Sequence, residues 1–137
     1  MSKIQEFLKN QEKSVMSNVE GKTIIDYFNN NAEEVPEYPA LNTPINSEYT
    51  GWDSVSWSAY RETVHNLASG LIDIGLQAED NAFIVANNVK EHFICDLGIM
   101  HAGGVPSTIY KQLKSGQIEY ISNLLEAKVA FVGDAEL

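Results

Sequence analysis

DNAFIVANNVKEHFICDLGIMHAGGVPSTIY, residues 80–110, is the stretch that decides the fold, because it predicts a strand, a helix and a second strand. Ala82–Ala86 is a short apolar run between polar residues, which is typical of a strand buried on both faces. Val105–Tyr110 predicts the second strand. Such short connections through a helix predict that the two strands pair in parallel by a right-handed crossover.

The helix between these strands has recognisable signals at both ends. Asn88 is a candidate N-cap, with Glu91 three residues later in a variant of the capping box. From Phe93 to Met100 only Asp96 interrupts the apolar residues, so we expect this helix to lie inside the protein. Gly103–Gly104 should end it, with Gly104 taking a positive φ.

A helix and a strand hairpin are predicted upstream. Thr23 can cap a helix with Asp26 at its N3 position, and the asparagines at 29–31 followed by Val35–Pro39 should end it. The apolar edge of this helix is Ile24, Tyr27 and Phe28. The hairpin should pair Ala40–Ile45 with Asp53–Trp57 through the loop Asn46–Gly51.

One long amphipathic helix should connect the hairpin to the central unit. Ser58 is its candidate cap, and Gly75 occupies the position after the helix where a left-handed conformation costs least. Its apolar stripe comprises Tyr60, Val64, Leu67, Ala68, Leu71 and Ile72.

A further helix and strand complete the predicted pattern after the central unit. The helix covers about residues 116–127, with the stripe Ile118, Ile121, Leu124 and Leu125, and Val129–Gly133 is a third parallel strand. The fold class is therefore α/β: an N-terminal β-hairpin and helices leading into a βαβαβ parallel-sheet unit. Ligands of such sheets bind at the carboxyl ends of the strands, which here are Asn87–Asn88, Tyr110–Lys111 and Asp134.

Composition limits the classes of function. The chain has 137 residues, a formal net charge of -10 and 44% hydrophobic residues, which predicts one modest globular domain, or part of a larger one, that binds neither nucleic acid nor an anionic membrane. Residues 1–22 form a polar N-terminal arm in which Ile4, Phe7 and Leu8 are the candidate anchors, and residues 23–137 form the domain. A single cysteine and the lack of a long apolar run predict a cytoplasmic protein that is not an integral membrane protein.

None of the reactive side chains forms a recognisable catalytic or cofactor-binding motif. Gly21-Lys22-Thr23 imitates the end of a P-loop, but Met16 stands where the first glycine belongs and no strand precedes it. Cys95 lies among apolar helix residues, which favours a core role over that of a nucleophile.

The histidines and tryptophans also favour structural roles. His92 and Asp96 are four residues apart and could hold a metal, but no second ligand pair with zinc-like spacing accompanies them. His101 adjoins the helix end, where it would interact with the helix dipole. Trp52 and Trp57 are expected to pack in the hairpin. We therefore assign no catalytic, cofactor-binding or metal residue.

The order of these segments resembles the start of an adenylate-forming (AMP-binding) acyl-CoA synthetase of the long-chain fatty acid–CoA ligase type. The similar segments are TIIDYF at 23–28, PEYPAL at 36–41, SWSAY at 56–60 with LASGL at 67–71, DNAFIVANN at 80–88, MHAGGVP at 100–106 with IY at 109–110, and AKVAFVGDAE at 127–136. Glu79 and Ala82 depart from the glycine and valine usual in that family's GD-x-V strand. The likeness covers residues 23–137 with collinear spacing.

The resemblance implies a parent enzyme that joins a fatty acid to AMP from ATP with Mg²⁺ and then transfers the acyl group to coenzyme A. The family's phosphate loop, magnesium-binding Thr-Glu, ribose-binding aspartate and C-terminal lysine have no counterpart in these 137 residues. The resemblance therefore implies an incomplete portion of the large domain, truncated before the phosphate loop, whose partner is the missing C-terminal portion of the same enzyme. Two alternatives stay open: a self-contained flavodoxin-like nucleotide-binding module, and a non-enzymatic interaction domain.

Overall fold

A computed structural model describes residues 2–133 of the chain. Its elements are α1 (Lys3–Val19), α2 (Ile24–Glu34), β1 (Pro39–Pro44), β2 (Trp52–Ser56), α3 (Trp57–Asp73), β3 (Asn81–Val85), α4 (Lys90–His101), β4 (Val105–Thr108), α5 (Ser115–Leu125) and β5 (Val129–Val132).

The parallel sheet has three strands in the order β4-β3-β5, and both outer strands run parallel to β3. Ala82 of β3 stands opposite Pro106 on one side and Val129 on the other. The predicted α/β fold with a βαβαβ unit is confirmed. Strand β4 ends at Thr108 and not at Tyr110 as predicted; its proline, which cannot donate a ladder hydrogen bond, fits an edge strand.

The predicted hairpin is also confirmed, because β1 and β2 pair antiparallel. Trp57 was expected to be its last strand residue, but it is the first residue of α3. Ser58 was expected to cap α3, whereas the N-cap is Ser56, whose Oγ accepts from the Ala59 backbone N–H at 3.3 Å. The Ser58 N–H donates instead to the Pro36 carbonyl, so the chain turns into the helix two residues earlier than predicted.

Helix α3 buries most of the predicted stripe and ends as predicted. Ile72 is the exception, with 54% of its surface exposed. Gly75 follows the helix with φ +99°, and its N–H donates to the Ile72 carbonyl while the Leu76 N–H donates to the Leu71 carbonyl. This is a Schellman motif, in which a glycine with positive φ satisfies the last helical carbonyls.

Helix α4 departs from prediction at its start. Its N-cap is Val89, with no side-chain cap, and not Asn88. The Val89 N–H donates to the Asn87 carbonyl, and this tight turn leaves Asn88 one residue outside the helix. Glu91 is consequently not the N3 residue of a capping box.

The burial of α4 is also only partial, contrary to expectation. Only Gly98 and Ile99 are buried in it, and Phe93 is 48% exposed. Helix α3 covers one side closely: a Cβ at Gly98 would lie 2.6 Å from Leu67 Cδ2. The described elements leave the side carrying Phe93 open, which explains the difference.

The end of α4 corrects the reason given for Gly104. Gly103, not Gly104, has the positive φ, +82°. The Gly104 N–H donates to the Ile99 carbonyl at 2.9 Å, completing a second Schellman motif. Gly104 itself is buried, and a Cβ there would lie 3.0 Å from Ile99 Cγ2. Close packing, and not a left-handed conformation, therefore requires glycine at position 104.

Helix α2 has the predicted Thr23–Asp26 capping box. It continues through the asparagines at 29–31, which were expected to end it, and stops at Glu34. Asparagine is only a moderately poor helix former, whereas Pro36 cannot continue a helix. Of the predicted apolar edge only Phe28 is buried, whereas Ile24 and Tyr27 are exposed.

The first and last helices contribute no buried residue to the structure of residues 2–133. Helix α1 is a regular 17-residue helix whose predicted anchors Ile4, Phe7 and Leu8 are all exposed, so they anchor nothing in the described part. Leu124 of α5, predicted to be in its apolar stripe, is 70% exposed. The division at residues 22 and 23 stays a prediction.

Two apolar clusters hold the described part together. One joins α3, α4 and the sheet through Leu71, Leu76, Ala82, Ile84 and Ile99 among others. The other joins α2 to α3 through Phe28, Tyr60 and Val64. In the part of the chain that the structure describes, no helix is both long and apolar enough to cross a membrane.

Candidate functional site

The order of the strands creates one place where a doubly wound sheet binds ligands. From β3 the chain moves to β4 on one side, and from β4 it crosses to β5 on the other side. The order therefore reverses between β3 and β5, and a crevice is expected beyond their carboxyl ends. Asp134, predicted to lie at this edge, is outside the described residues.

A crevice of about 430 Å³ is present there, between β3, β5 and the start of α4. Its lining is mostly apolar, with Glu91, His92 and Cys95 as the polar side chains. His92 Nε2 lies 3.1 Å from Thr108 Oγ1 on β4. The crevice thus holds one imidazole tied to the edge strand and one thiol on the helix.

Cys95 is not arranged as a nucleophile. Burial raises the pKa of its thiol, and the nearby carboxylates of Glu91 and Asp96 raise it further. Because the thiolate is the reactive form, a raised pKa lowers the reactivity expected of Cys95 at neutral pH. Its side chain packs against the sheet cluster, in agreement with the core role predicted for it.

His92 and Asp96, the pair that could hold a metal, have no third ligand beside them in the described part of the chain. Burial raises the pKa of Asp96, and the proximity of His92 only partly offsets this effect. Within residues 2–133 no three His, Cys, Asp or Glu side chains are grouped to hold a metal ion. Burial raises the pKa of Tyr60 in α3 to about 12, and the nearby Asp96 carboxylate adds to this effect.

The start of α4 is tied to the hairpin by a charge pair. Lys90 Nζ lies 2.6 Å from Asp53 Oδ2 on β2. This hydrogen bond raises the pKa of the lysine. Lys90 therefore links the start of α4 to β2 through a hydrogen bond. Lys111, which follows β4, is another cation at this edge of the described sheet.

The remaining residues singled out from sequence have structural positions. Gly21-Lys22-Thr23 follows helix α1 and not a strand, as expected for a false P-loop. Thr23 Oγ1 accepts a hydrogen bond from the Asp26 N–H and so caps α2. Trp52 is 56% exposed near Tyr49 in the hairpin, while Trp57 packs edge-on against Phe28. His101 Nδ1 lies 2.8 Å from the carbonyl oxygen of Leu97, one turn earlier in the same helix.

Sequence reasoning missed one juxtaposition. His65 of α3 lies beside His101 of α4, with ring centroids 5.2 Å apart. The two residues are 36 positions apart in sequence. Only the packing of α3 on α4 brings them together, so spacing could not have indicated the pair.

The described elements form a hairpin and helices that lead into a parallel sheet with a switch-point crevice. Residues 28–137 match the AMP-binding enzyme family. The match covers most of the chain, so the chain belongs to the AMP-binding enzyme family. It is similar to the N-terminal portion of an acyl-CoA synthetase within that family.

Two relatives illustrate the similarity in sequence. The long-chain-fatty-acid–CoA ligase heimdall of Drosophila melanogaster is 28% identical over 125 residues, which are 90% of this chain and 18% of that protein. An uncharacterised protein of Mycobacterium tuberculosis is 27% identical over 107 residues, 78% of this chain and 58% of its own length. The chain therefore spans about a fifth of the former and just over half of the latter.

Solved structures show the same fold. The N-terminal subdomain of NpsA from Klebsiella oxytoca superposes with a TM-score of 0.70 at 19% identity, covering 82% of this chain and 28% of that one. The fatty acid AMP ligase from Legionella pneumophila gives a TM-score of 0.70 at 14% identity, covering 79% and 19%. The predicted fold class, an incomplete portion of such a ligase's large domain, is confirmed by these likenesses.

Proposed function

We propose that these residues serve as the N-terminal part of an ATP-dependent acid–CoA ligase that activates a long-chain fatty acid through an acyl-adenylate. The observation that carries the proposal is the family match over residues 28–137, coupled to a sheet in the order β4-β3-β5. The heimdall ligase and a mouse relative, ACSBG2, 29% identical over 110 residues, are both long-chain-fatty-acid–CoA ligases.

The choice of a fatty acid needs its own support, because the family activates more than one kind of acid. A relative of 27% identity is a vibriobactin-specific 2,3-dihydroxybenzoate-AMP ligase of Vibrio cholerae. Gly103–Tyr110 favours the fatty acid, since GGVP followed by IY resembles the motif of long-chain ligases. The cofactors of the proposed reaction are ATP, Mg²⁺ and coenzyme A.

We infer that the described residues supply a scaffold to that reaction and none of its chemistry. Adenylation needs cationic groups or a metal held where charge develops on the α-phosphate. At the candidate edge Lys90 is paired with Asp53, Cys95 is held as a thiol and His92 contacts Thr108. The catalytic groups would come from the C-terminal portion of the same enzyme. The single cysteine supports a cytoplasmic enzyme.

Expression of the complete reading frame tests this proposal. The product should convert palmitate, ATP and coenzyme A to palmitoyl-CoA with release of AMP and pyrophosphate, and should leave 2,3-dihydroxybenzoate unchanged. Activity on the aromatic acid alone would overturn the fatty-acid assignment. A reading frame without a Ser/Thr/Gly-rich loop ending in lysine would overturn the ligase assignment itself.

A further inference from the structure

We propose that helix α1 (Lys3–Val19) lies on the surface of a phospholipid bilayer, with its apolar side among the lipids. This helix lies outside residues 28–137, which match the family, and none of its residues is buried in the part of the chain that the structure describes. The lipid contact is separate from the switch-point crevice, goes beyond the ligase function proposed above and does not depend on it.

Helix α1 is an ordered helix with a defined start and a fixed end. Ser2 Oγ accepts from the Gln5 N–H at 3.3 Å and Gln5 Oε1 accepts from the Ser2 N–H at 3.0 Å, which completes a capping box. At the other end the Tyr27 hydroxyl donates to the Asn18 carbonyl, and Lys22 Nζ lies 5.4 Å from the centroid of the Tyr27 ring. The domain therefore holds α1 at its C-terminal end and leaves the side chains of the helix exposed.

The large apolar side chains of α1 are concentrated on one side. At about 100° of rotation per residue, five of them share an arc of about 120°, and these five form the apolar stripe: Ile4, Phe7, Leu8, Val15 and Val19. Their exposed fractions run from 41% for Val19 to 70% for Ile4. A mostly polar helix that carries such a stripe is typical of helices that lie in the plane of a membrane interface.

The distribution of charge favours an uncharged lipid surface as the partner of the stripe. Three lysines and two glutamates give residues 3–19 a net charge of +1, and since the whole chain carries -10, the other residues carry -11. The lysines, at positions 3, 9 and 13, lie outside the stripe, where their ammonium groups can reach lipid phosphates. A strongly anionic surface would repel the rest of the chain, so apolar burial in a zwitterionic phosphatidylcholine surface is the main attraction.

A second copy of α1 fits the stripe less well than lipid does. A coiled coil needs an apolar seam that is sustained over at least three or four heptads, and α1 has 17 residues. The heptad seam through Ile4, Leu8 and Val15 also contains Gln11 and Asn18. Two polar side chains in so short a seam weaken a dimer, whereas the boundary between lipid headgroups and acyl chains is partly hydrated and accommodates them.

Flotation of the 137-residue chain with phosphatidylcholine vesicles tests the lipid contact, after circular dichroism has shown that the chain is folded. The wild-type chain should float with the vesicles. Val15→Gln should lower its partition coefficient about tenfold, because a side chain at the middle of the stripe no longer gains from burial in lipid. Glutamine forms helices at least as well as valine, so this loss would not come from a weakened helix.

The neighbouring residue provides a matched control. Met16 is 58% exposed and Val15 57%, but Met16 lies about 100° further round the helix and outside the stripe. Met16→Gln should therefore change the partition coefficient less than twofold. Equal losses for the two variants, no flotation with phosphatidylcholine, or flotation only with phosphatidylserine vesicles would overturn the proposal.

Light scattering without lipid tests the second copy as the alternative partner. The wild-type chain should have the mass of a monomer, because the stripe is reserved for lipid. A dimer that Val15→Gln dissociates and Met16→Gln does not would assign the stripe to a second copy and overturn the proposal.

Discussion

Replacing Gly104 should destabilise the protein through crowding, and the structure allows the cost to be worked out. A Cβ at this position would lie 3.0 Å from Ile99 Cγ2, 3.1 Å from Leu76 Cδ2 and 3.1 Å from the Asp80 carbonyl oxygen. The two side chains can shift slightly. The carbonyl cannot, because it accepts the Val105 N–H at 2.8 Å at the start of the β3–β4 pairing.

The expected magnitudes separate crowding from backbone strain. Gly104→Ala overpacks a tight site and should cost about 1–3 kcal/mol, and Gly104→Val about 3 kcal/mol or more. Gly103→Ala meets only ordinary contacts, with Ala78 Cα at 3.4 Å, but it must adopt φ +82°. That strain costs about 1–2 kcal/mol, and the larger Val side chain should add much less at 103 than at 104.

Urea unfolding followed by circular dichroism measures these differences. Gly116→Ala is the control, because a Cβ there has nothing within 4 Å and its position in α5 favours alanine. Its midpoint should stay equal or rise. A wild-type midpoint for Gly104→Val, or a larger loss from valine at Gly103 than at Gly104, would refute the crowding argument.

Three further predictions follow from local contacts. Burial and neighbouring charge lower the pKa of His65, so its contribution to the free energy of unfolding should be fully present above about pH 6.5 and should be lost as the pH falls towards the folded-state pKa. His65→Gln should flatten this pH dependence in urea titrations at about pH 5–8, and an unchanged slope would contradict the prediction. Burial raises the pKa of Asp96, so Asp96→Asn should raise the melting temperature at pH 7 and lose that advantage near pH 3. A lower melting temperature of the variant at pH 7 would show that the fold stabilises the carboxylate. Thr23→Ala removes the N-cap of α2 and should lower the free energy of unfolding by about 1 kcal/mol, while Asn88→Ala should cost almost nothing because Asn88 is not the N-cap of α4. Equal losses for the two variants in urea unfolding would contradict these cap positions.

The sequence was informative wherever the signal is local. Gly75 could be placed because a left-handed residue after a helix is usually glycine, and the Ala82–Ala86 run could be assigned because a parallel strand is buried on both faces. The caps of α3 and α4 were displaced by two residues and one residue, because the path of the preceding chain decides whether Ser56 or Ser58, and Asn88 or Val89, becomes the N-cap.

Burial was harder to predict than the elements themselves. Ile72 fits the helical stripe of α3, yet it is exposed because nothing in the described part covers that flank. Phe93 is open for the same reason. Apolar periodicity indicates which side of a helix could be buried, but whether it is buried depends on the neighbouring elements. The His65–His101 pair arises entirely from tertiary packing, so the sequence contained no signal for it.

ATP–pyrophosphate exchange by the isolated 137-residue chain is the most direct test of its proposed role as a scaffold. The chain would be incubated with palmitate, ATP, Mg²⁺ and labelled pyrophosphate, after circular dichroism has shown that it is folded. The product of the complete reading frame would be the positive control. The account predicts exchange from the complete product and none from the 137 residues, because these lack the groups that stabilise charge on the α-phosphate. Palmitate-dependent exchange by the folded 137-residue chain would contradict it.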